Sequence, residues 1–186
     1  MTNKEEFLSI CNENIKRPGV DKLLSWLEKS DFYIAPASSR FHGDYAGGLV
    51  DHHLHVYKQL KRLLAAYPEV QCSDETAAVI ALFHDLCKVN MYTMEKRNKK
   101  NEAGQWVSYD AFTINEKFCY GGHGSKSVFL IMKFMDLSTE EATAINCHMS
   151  CWDGNKDVGS AYAQCHLAWL LHAADEAATY MDESKS

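Results

Sequence analysis

The adjacent pair His84-Asp85 lies near the end of an apolar run from Ala77 to Lys88, and both side chains are able to bind metal ions. Imidazole and carboxylate together suit borderline divalent cations such as zinc, iron, manganese, cobalt and nickel. A carboxylate at the end of a buried helix is costly unless a positive charge meets it. The pair therefore predicts a buried metal centre.

Other histidines and one aspartate could complete this centre, because each lies in a segment with an apolar helical face. Asp175, for example, follows Leu171 by four residues, which gives the two side chains one helix face. A single histidine on such a face is usually a hydrogen-bonded core residue, but this many buried ionisable groups need a shared compensation. We predict six metal ligands: His52, His84, Asp85, His123, His148 and Asp175.

Helical periodicity does not decide whether His52 or His53 is the first of these ligands. His52 and His53 both lie three or four residues from Leu49 and Val56, so either could face the core. His42 lies in an irregular stretch, and we predict a surface or packing role for it.

The elements that position these residues are mostly helices. Apolar spacing and stop signals predict helices over 3–15, 20–29, 49–66, 77–88, 123–135, 138–148 and 161–181. A β-hairpin is predicted within about residues 90–120, with Glu95 to Gln105 as a loose, basic loop. The fold class is therefore all-α, a helical bundle with a small hairpin insertion. We expect a single domain over 1–186, with 1–43 as an N-terminal helical extension.

Composition narrows the class of protein. A chain of 186 residues with 46% hydrophobic and 24% charged residues is typical of one globular core. The net charge of -6 argues against nucleic acid as a partner. Seven scattered cysteines favour reduced thiols. A polar start, and no apolar run near the roughly 18 residues of a membrane span, predict a cytoplasmic protein without a membrane partner.

The order and spacing of the motifs resemble the HD-domain metal-dependent phosphohydrolases. The matching segments are Gly47 to His52, the central motif His84 to Lys88, Gly122 to Gly124, Asn146 to His148, and the closing stretch Leu171 to Asp175. The resemblance covers about residues 44–181. It implies an HD-domain-like helical bundle built around the metal site, with the hairpin as a peripheral insertion.

The resemblance also implies roles for the ligands. It selects His52 as the first ligand, makes Asp85 a catalytic residue that bridges two ions, and assigns His123 and His148 to the second ion. One or two divalent ions, drawn from Mn, Fe, Zn, Co, Ni and Mg, would be the cofactor. Such ions lower the pKa of bound water to as low as about 7, and the resulting hydroxide attacks phosphorus.

The implied activity is hydrolysis of a phosphomonoester or phosphodiester, with a nucleotide or related small molecule as the substrate. Lys88, one helical turn beyond Asp85, would place its ammonium against a phosphoryl oxygen. Arg40, Arg97 and Lys126 are further candidates for substrate phosphate. Three alternatives stay open: a di-iron oxygenase, a 3'-to-5' exoribonuclease-like nuclease and a non-catalytic nucleotide sensor. The oligomeric state is open as well.

Overall fold

The computed structural model describes residues 1–154 and 156–183, and within them the protein is mostly helical with one antiparallel hairpin. The α-helices are α1 Asn3–Asn14, α2 Val20–Glu28, α3 Gly48–Ala66, α4 Asp74–Phe83, α5 His123–Met132, α6 Thr139–Cys147, α7 Val158–Gln164 and α8 His166–Ala177, and the strands are β1 Tyr92–Lys100 and β2 Trp106–Ile114. Short 3-10 turns span Leu86–Lys88 and Ser150–Asp153, and a π-turn spans Ala178–Asp182.

Helix α3 packs against α4 and α8, and α6 packs against α8, α5 and α4. Every residue of α4 from Ala77 to Phe83 is buried, which explains why the sequence there is apolar without a period. Side chains of α1 and α2, including Phe7 and Leu23, belong to the same core. The N-terminal extension therefore shares the core that holds the site.

Two serine caps fix where helices begin. The Ser73 hydroxyl accepts a hydrogen bond from the Thr76 amide, which starts α4, and Ser138 forms a reciprocal capping box with Glu141 at the start of α6. Such caps satisfy backbone amides that have no partner within the helix. Helix α4 ends at Phe83, earlier than the predicted Lys88, because Asp85 leaves the helical region at φ -109° and ψ 27°.

The hairpin is longer and more regular than predicted. Its register runs from Tyr92 opposite Ile114 to Lys100 opposite Trp106, so the stretch predicted as a loose loop is largely strand. That prediction was wrong for Glu95 to Lys100. Lys99 and Lys100 lie over aromatic rings of the other strand, Tyr109 and Trp106, with 5.0 and 5.5 Å from Nζ to the ring centroid. Such cross-strand pairs stabilise a regular ladder.

The last predicted helix is divided in the structure. Cys165 has extended backbone angles, φ -131° and ψ 92°, and separates α7 from α8. Beyond Ala177 the helix widens into the π-turn, and Glu183 follows it. This wide turn carries the end of the described chain back towards α3.

Two further features concern the chain as a whole. No disulfide joins any of the seven cysteines, all of which lie in the described ranges. Among residues 1–154 and 156–183, no helix combines the length and the apolar character that a membrane crossing requires.

Candidate metal centre

Five of the six predicted ligands meet at one place between α3, α4, α6 and α8. We call these five the central cluster: His52, His84, Asp85, His148 and Asp175. His52 Nε2 lies 3.1 Å from Asp175 Oδ1 and 3.9 Å from Asp85 Oδ2. His84 Nε2 lies 3.6 Å from Asp85 Oδ2, and His148 Nε2 lies 3.3 Å from Asp85 Oδ1. Asp85 is therefore the carboxylate that all three imidazoles approach.

Backbone carbonyls orient two of the imidazoles. His84 Nδ1 donates to the carbonyl oxygen of Ala81 at 2.9 Å, and His148 Nδ1 donates to that of Ile145 at 2.7 Å. A carbonyl oxygen only accepts hydrogen bonds, so Nδ1 carries the proton in each ring. The Nε2 lone pair then points into the cluster, which is the arrangement of metal-binding histidines.

A carboxylate orients the third imidazole. His52 Nδ1 donates to Glu183 Oε1 at 3.0 Å, and the same oxygen accepts a hydrogen bond from His55 Nδ1 at 2.9 Å. The Glu183 side chain is only 4% exposed. This carboxylate, which follows the π-turn, therefore fixes the ring of a residue 131 positions earlier in the chain.

The Nε2 atoms of His52, His84 and His148 are buried and have no hydrogen-bond partner among the described residues. A buried polar atom without a partner costs about 1–3 kcal/mol. In the neutral tautomer these three acceptors face carboxylate oxygens, which are also acceptors, so a cation is the group that would satisfy them. Ligand atoms at about 2.1 Å from a tetrahedral ion lie about 3.4 Å apart. The observed distances from the Nε2 atoms to the carboxylate oxygens are 3.1 to 3.9 Å. The residues present therefore fit a divalent metal ion.

The pKa values of the cluster residues are consistent with the binding of a divalent cation. Burial acts to raise the pKa of Asp85, but the Lys88 ammonium and the neighbouring imidazoles hold the pKa well below its usual range. Burial lowers the pKa of His84 to about 4, so this imidazole is neutral at physiological pH. Burial also acts to lower the pKa of His52, but the neighbouring carboxylates of Asp175 and Glu183 outweigh it and raise the pKa to about 9. A metal ion would displace that proton on binding.

Lys88 is a buried ammonium at the edge of the cluster. Its Nζ lies 2.5 Å from Asp85 Oδ2 in an ion pair one turn along the chain. Burial acts to lower the pKa of Lys88, but the Asp85 carboxylate raises it, so the side chain is a cation. The predicted position of Lys88 next to Asp85 is what the structure shows.

The sequence prediction missed three residues at the site. Glu183 and His42 approach His52 so that one ligand atom from each of the three lies within 4.8 Å of the others. His53, which periodicity could not separate from His52, is fully buried beside His84 and has no hydrogen-bond partner among the described residues for either ring nitrogen. Glu183 had a signal, because Asp175 and Glu183 are eight residues apart and so share a helix face. His42, in an irregular loop, had none.

His123 is not brought into the central cluster. Its side chain is 38% exposed, and its Nδ1 lies 3.5 Å from Asp153 Oδ1. Asp153 accepts hydrogen bonds from the backbone amides of His123 and Gly124, at 3.0 and 3.2 Å, and so caps α5. This capping holds the helix start beside a separate small cavity of about 200 Å³. Within the described residues, neither His123 nor His148 belongs to a group of three potential ligands whose donor atoms all lie within 4.8 Å of one another. The two differ in that His148 Nε2 lies 3.3 Å from Asp85 Oδ1.

The three predicted phosphate contacts also lie away from the central cluster. Arg40 and Arg97 line a cavity of about 810 Å³ between the loop after α2 and the hairpin. Lys126 lines the same small cavity as His123 and forms an ion pair with Glu116. None of the three is among the residues that line the cavity at the central cluster. Their contact with a substrate phosphate stays a prediction, because loops and helix ends, whose course the sequence does not specify, decide their position.

The central cluster opens to solvent through a cavity of about 520 Å³. Asp85, Lys88 and Asp175 lie on its wall, and all three are buried. The size falls within the range of cavities that bind small molecules. A ligand in this cavity would touch the proposed metal-binding carboxylates directly.

No protein-family model, no curated protein and no solved structure matches this chain. The resemblance to the HD-domain phosphohydrolases therefore rests on the sequence motifs alone.

Proposed function

We propose that this protein is a metal-dependent phosphohydrolase of the HD-domain type, with one or two divalent ions held by the central cluster. The observation that carries the proposal is the set of three buried Nε2 atoms, on His52, His84 and His148, that face two carboxylates without a hydrogen-bond partner among the described residues. Each of the three Nδ1 atoms is already bonded to a fixed acceptor.

A structural role accounts poorly for this arrangement. Removing the partner of a buried charge costs about 3–5 kcal/mol, and among the described residues lining this cavity the Lys88 ammonium is the one lysine or arginine for two buried carboxylates, Asp85 and Asp175. Polar groups kept buried at such a cost cluster at functional sites. The open cavity against Asp85 and Lys88 favours a ligand that binds both a metal and an ammonium, which is what a phosphate ester does.

When bound, the ion would supply Lewis acidity and a water of lowered pKa. In the hydrolysis, the water oxygen forms a bond to phosphorus, the bond from phosphorus to the ester oxygen breaks, and the leaving alcohol takes a proton. Lys88 would stabilise the negative charge that builds on the phosphoryl oxygens. Asp85 would hold both the ion and Lys88 in place.

The test is metal content combined with turnover of phosphate esters. His84→Ala and Asp85→Ala should each lose bound metal and hydrolysis, whereas Lys88→Ala should keep the metal and lose turnover. His166→Ala removes an exposed histidine and is the matched control, so it should keep both. Elemental analysis of the purified protein and phosphate release from nucleotides, phosphodiesters and phosphorylated metabolites are the measurements. Unchanged metal content in both cluster variants would refute the proposal.

Further measurements on the same purified protein distinguish the three alternative functions. A di-iron oxygenase would contain iron and consume oxygen in the presence of substrate, and a nuclease would release nucleotides from single-stranded RNA. A nucleotide sensor would bind the nucleotide without releasing phosphate. Lys88 favours the hydrolase, because a buried ammonium beside the carboxylate suits a phosphoryl group.

A further inference from the structure

Three exposed aromatic side chains surround the opening of the cavity above the central cluster. Phe41, Trp152 and Tyr180 are 78%, 84% and 69% exposed, and all three line this cavity. We call them the aromatic rim. Single exposed apolar residues are common on protein surfaces, but a convergent set marks an interaction site.

The aromatic rim is assembled from distant parts of the chain. Phe41 lies in the loop before α3, Trp152 in the 3-10 turn after α6, and Tyr180 in the π-turn after α8. The same three segments adjoin residues of the metal site: His42 follows Phe41, His148 precedes the turn of Trp152, and Asp175 precedes that of Tyr180. The rim and the cluster are therefore positioned by shared elements.

Polarity changes from the inside of the cavity to its opening. Asp85 and Lys88 are 1% and 8% exposed and lie inside, while the aromatic rim and Met149 form the outer wall. A ligand that matches this gradient carries a phosphate at one end and a flat apolar group at the other. Aromatic side chains stack on planar rings with little dependence on the identity of the ring.

The charge of the cavity limits the number of phosphates. Four carboxylates line it, on Asp85, Asp175, Glu176 and Glu183, and among the described lining residues Lys88 is the one lysine or arginine. A single phosphate ester brings about -1.5 to -2 charges at pH 7 to a cavity whose carboxylates already oppose the charge of Lys88 and of one or two divalent ions. A di- or triphosphate adds charge near Glu176, an exposed carboxylate at the same cavity. The cavity therefore disfavours polyphosphates.

We propose that the aromatic rim binds a planar aromatic group joined to a single phosphate, as in a nucleoside monophosphate, and selects against nucleoside triphosphates and against phosphate esters without a ring. This inference rests on the proposed function, because the phosphate is placed at the central cluster. It adds a substrate class and three residues that determine specificity.

The experiment compares four compounds in the presence of the native metal: adenosine monophosphate, uridine monophosphate, ribose 5-phosphate and adenosine triphosphate. Both monophosphates should have kcat/KM at least about 10-fold above ribose 5-phosphate and above the triphosphate. Trp152→Ala and Phe41→Ala should each raise KM for the monophosphates about 10-fold and leave kcat/KM for ribose 5-phosphate unchanged. Trp106→Ala is the matched control, because Trp106 is 71% exposed on the hairpin and is not among the residues of this cavity.

The outcomes of these measurements distinguish a failure of the aromatic rim proposal from a failure of the proposed function. Equal kcat/KM for the four compounds, with no effect of the rim variants, would overturn the aromatic rim while leaving a phosphohydrolase. If no compound is hydrolysed, calorimetric titration with adenosine monophosphate decides separately. Binding that Trp152→Ala weakens would uphold the rim and refute hydrolysis, and binding that is absent or unchanged in the variant would refute the rim.

Discussion

Glu183 Oε1 lies 3.0 Å from Nδ1 of His52, although the two residues are 131 positions apart in the chain. The carboxylate thereby decides which nitrogen of His52 faces the central cluster. Partners of this kind are often nearly as important for metal affinity as the ligands themselves. The end of the described chain is thus part of the candidate site.

We expect Glu183→Ala to weaken metal binding by about 10- to 100-fold, because the His52 ring loses the group that orients it. Glu183→Gln keeps a hydrogen-bond acceptor and should recover part of the affinity. Metal affinity is measured by competition with a chelating dye. Glu176→Gln is the control, since Glu176 lines the same cavity from an exposed position. Equal affinity in Glu183→Ala and the unaltered protein would contradict this role.

His148 and His123 form a matched pair, because both were predicted as metal ligands and only His148 reaches Asp85. His148→Ala should lower the metal content or the affinity for the metal, since it removes a buried nitrogen 3.3 Å from Asp85 Oδ1. His123→Ala should leave both unchanged. Elemental analysis after dialysis at fixed metal concentration makes the comparison. A loss of metal in His123→Ala equal to that in His148→Ala would show that His123 moves to the ion.

The ion pair of Arg17 with Glu141 predicts a pH dependence of stability. Two hydrogen bonds of 2.7 Å join the side chains, and Glu141 is 1% exposed. Burial acts to raise the pKa of Glu141, but the bonds from Arg17 and from the Ser138 amide hold it below the ordinary value of 4.5. A carboxyl whose folded pKa is depressed stabilises the fold above its unfolded pKa and loses that effect as the pH falls through the folded pKa.

Glu141→Gln should therefore lower the free energy of unfolding by about 2 kcal/mol at pH 7, and the difference should shrink as the pH falls below 4.5. Urea unfolding at pH 7 and at pH 3 measures it. Glu140→Gln, an exposed neighbour in the same first turn of α6, is the control and should have a small effect at both values. A difference for Glu141→Gln that is as large at pH 3 as at pH 7 would exclude the ionised carboxyl as its source.

Gly48 lies where the loop before α3 meets the helix. A Cβ at this position would lie 2.0 Å from the carbonyl oxygen of Gly43, so backbone would have to move. Gly48→Ala should cost about 1–3 kcal/mol and should also raise KM, because the displaced loop carries Phe41. Gly159→Ala is the control, since among residues 1–154 and 156–183 no atom outside its chain neighbours and its own helix backbone lies within 4 Å of the Cβ position, and alanine favours a helix. Thermal unfolding compares the two, and similar losses in both would contradict the close approach.

Much of the fold could be predicted because the relevant signals are local. Serine favours helix N-caps, and Ser73 and Ser138 cap α4 and α6. The period of Leu49, Val56 and Leu60 marks the buried face of α3. The regular hairpin was underestimated, because its pairing depends on contacts between strands and not on composition. The break at Cys165 had no local signal of glycine or proline.

The site residues also fall into those that the sequence could predict and those that it could not. Asp175 lies on the apolar helix α8, and His84 and Asp85 directly follow the apolar helix α4, so the sequence could predict that all three are buried. The glycines around His123 suggested a ligand, but Gly124 is required for packing, since its Cβ would lie 2.4 Å from the carbonyl oxygen of Asn146. Asp153, which caps that helix, comes 30 positions after His123, and no local pattern links them.

The three imidazoles have different hydrogen-bond acceptors, which implies that heating disrupts the candidate metal site in two stages. His84 and His148 are held by carbonyls of their own helices, so their orientation lasts as long as the interior of the bundle. His52 depends on Glu183, which follows the π-turn beyond α8, and a single short turn opens at lower free energy than the core of a helical bundle. Opening of that turn would free the His52 ring while His84 and His148 kept their orientation. A bound ion would then dissociate before the helices unfold.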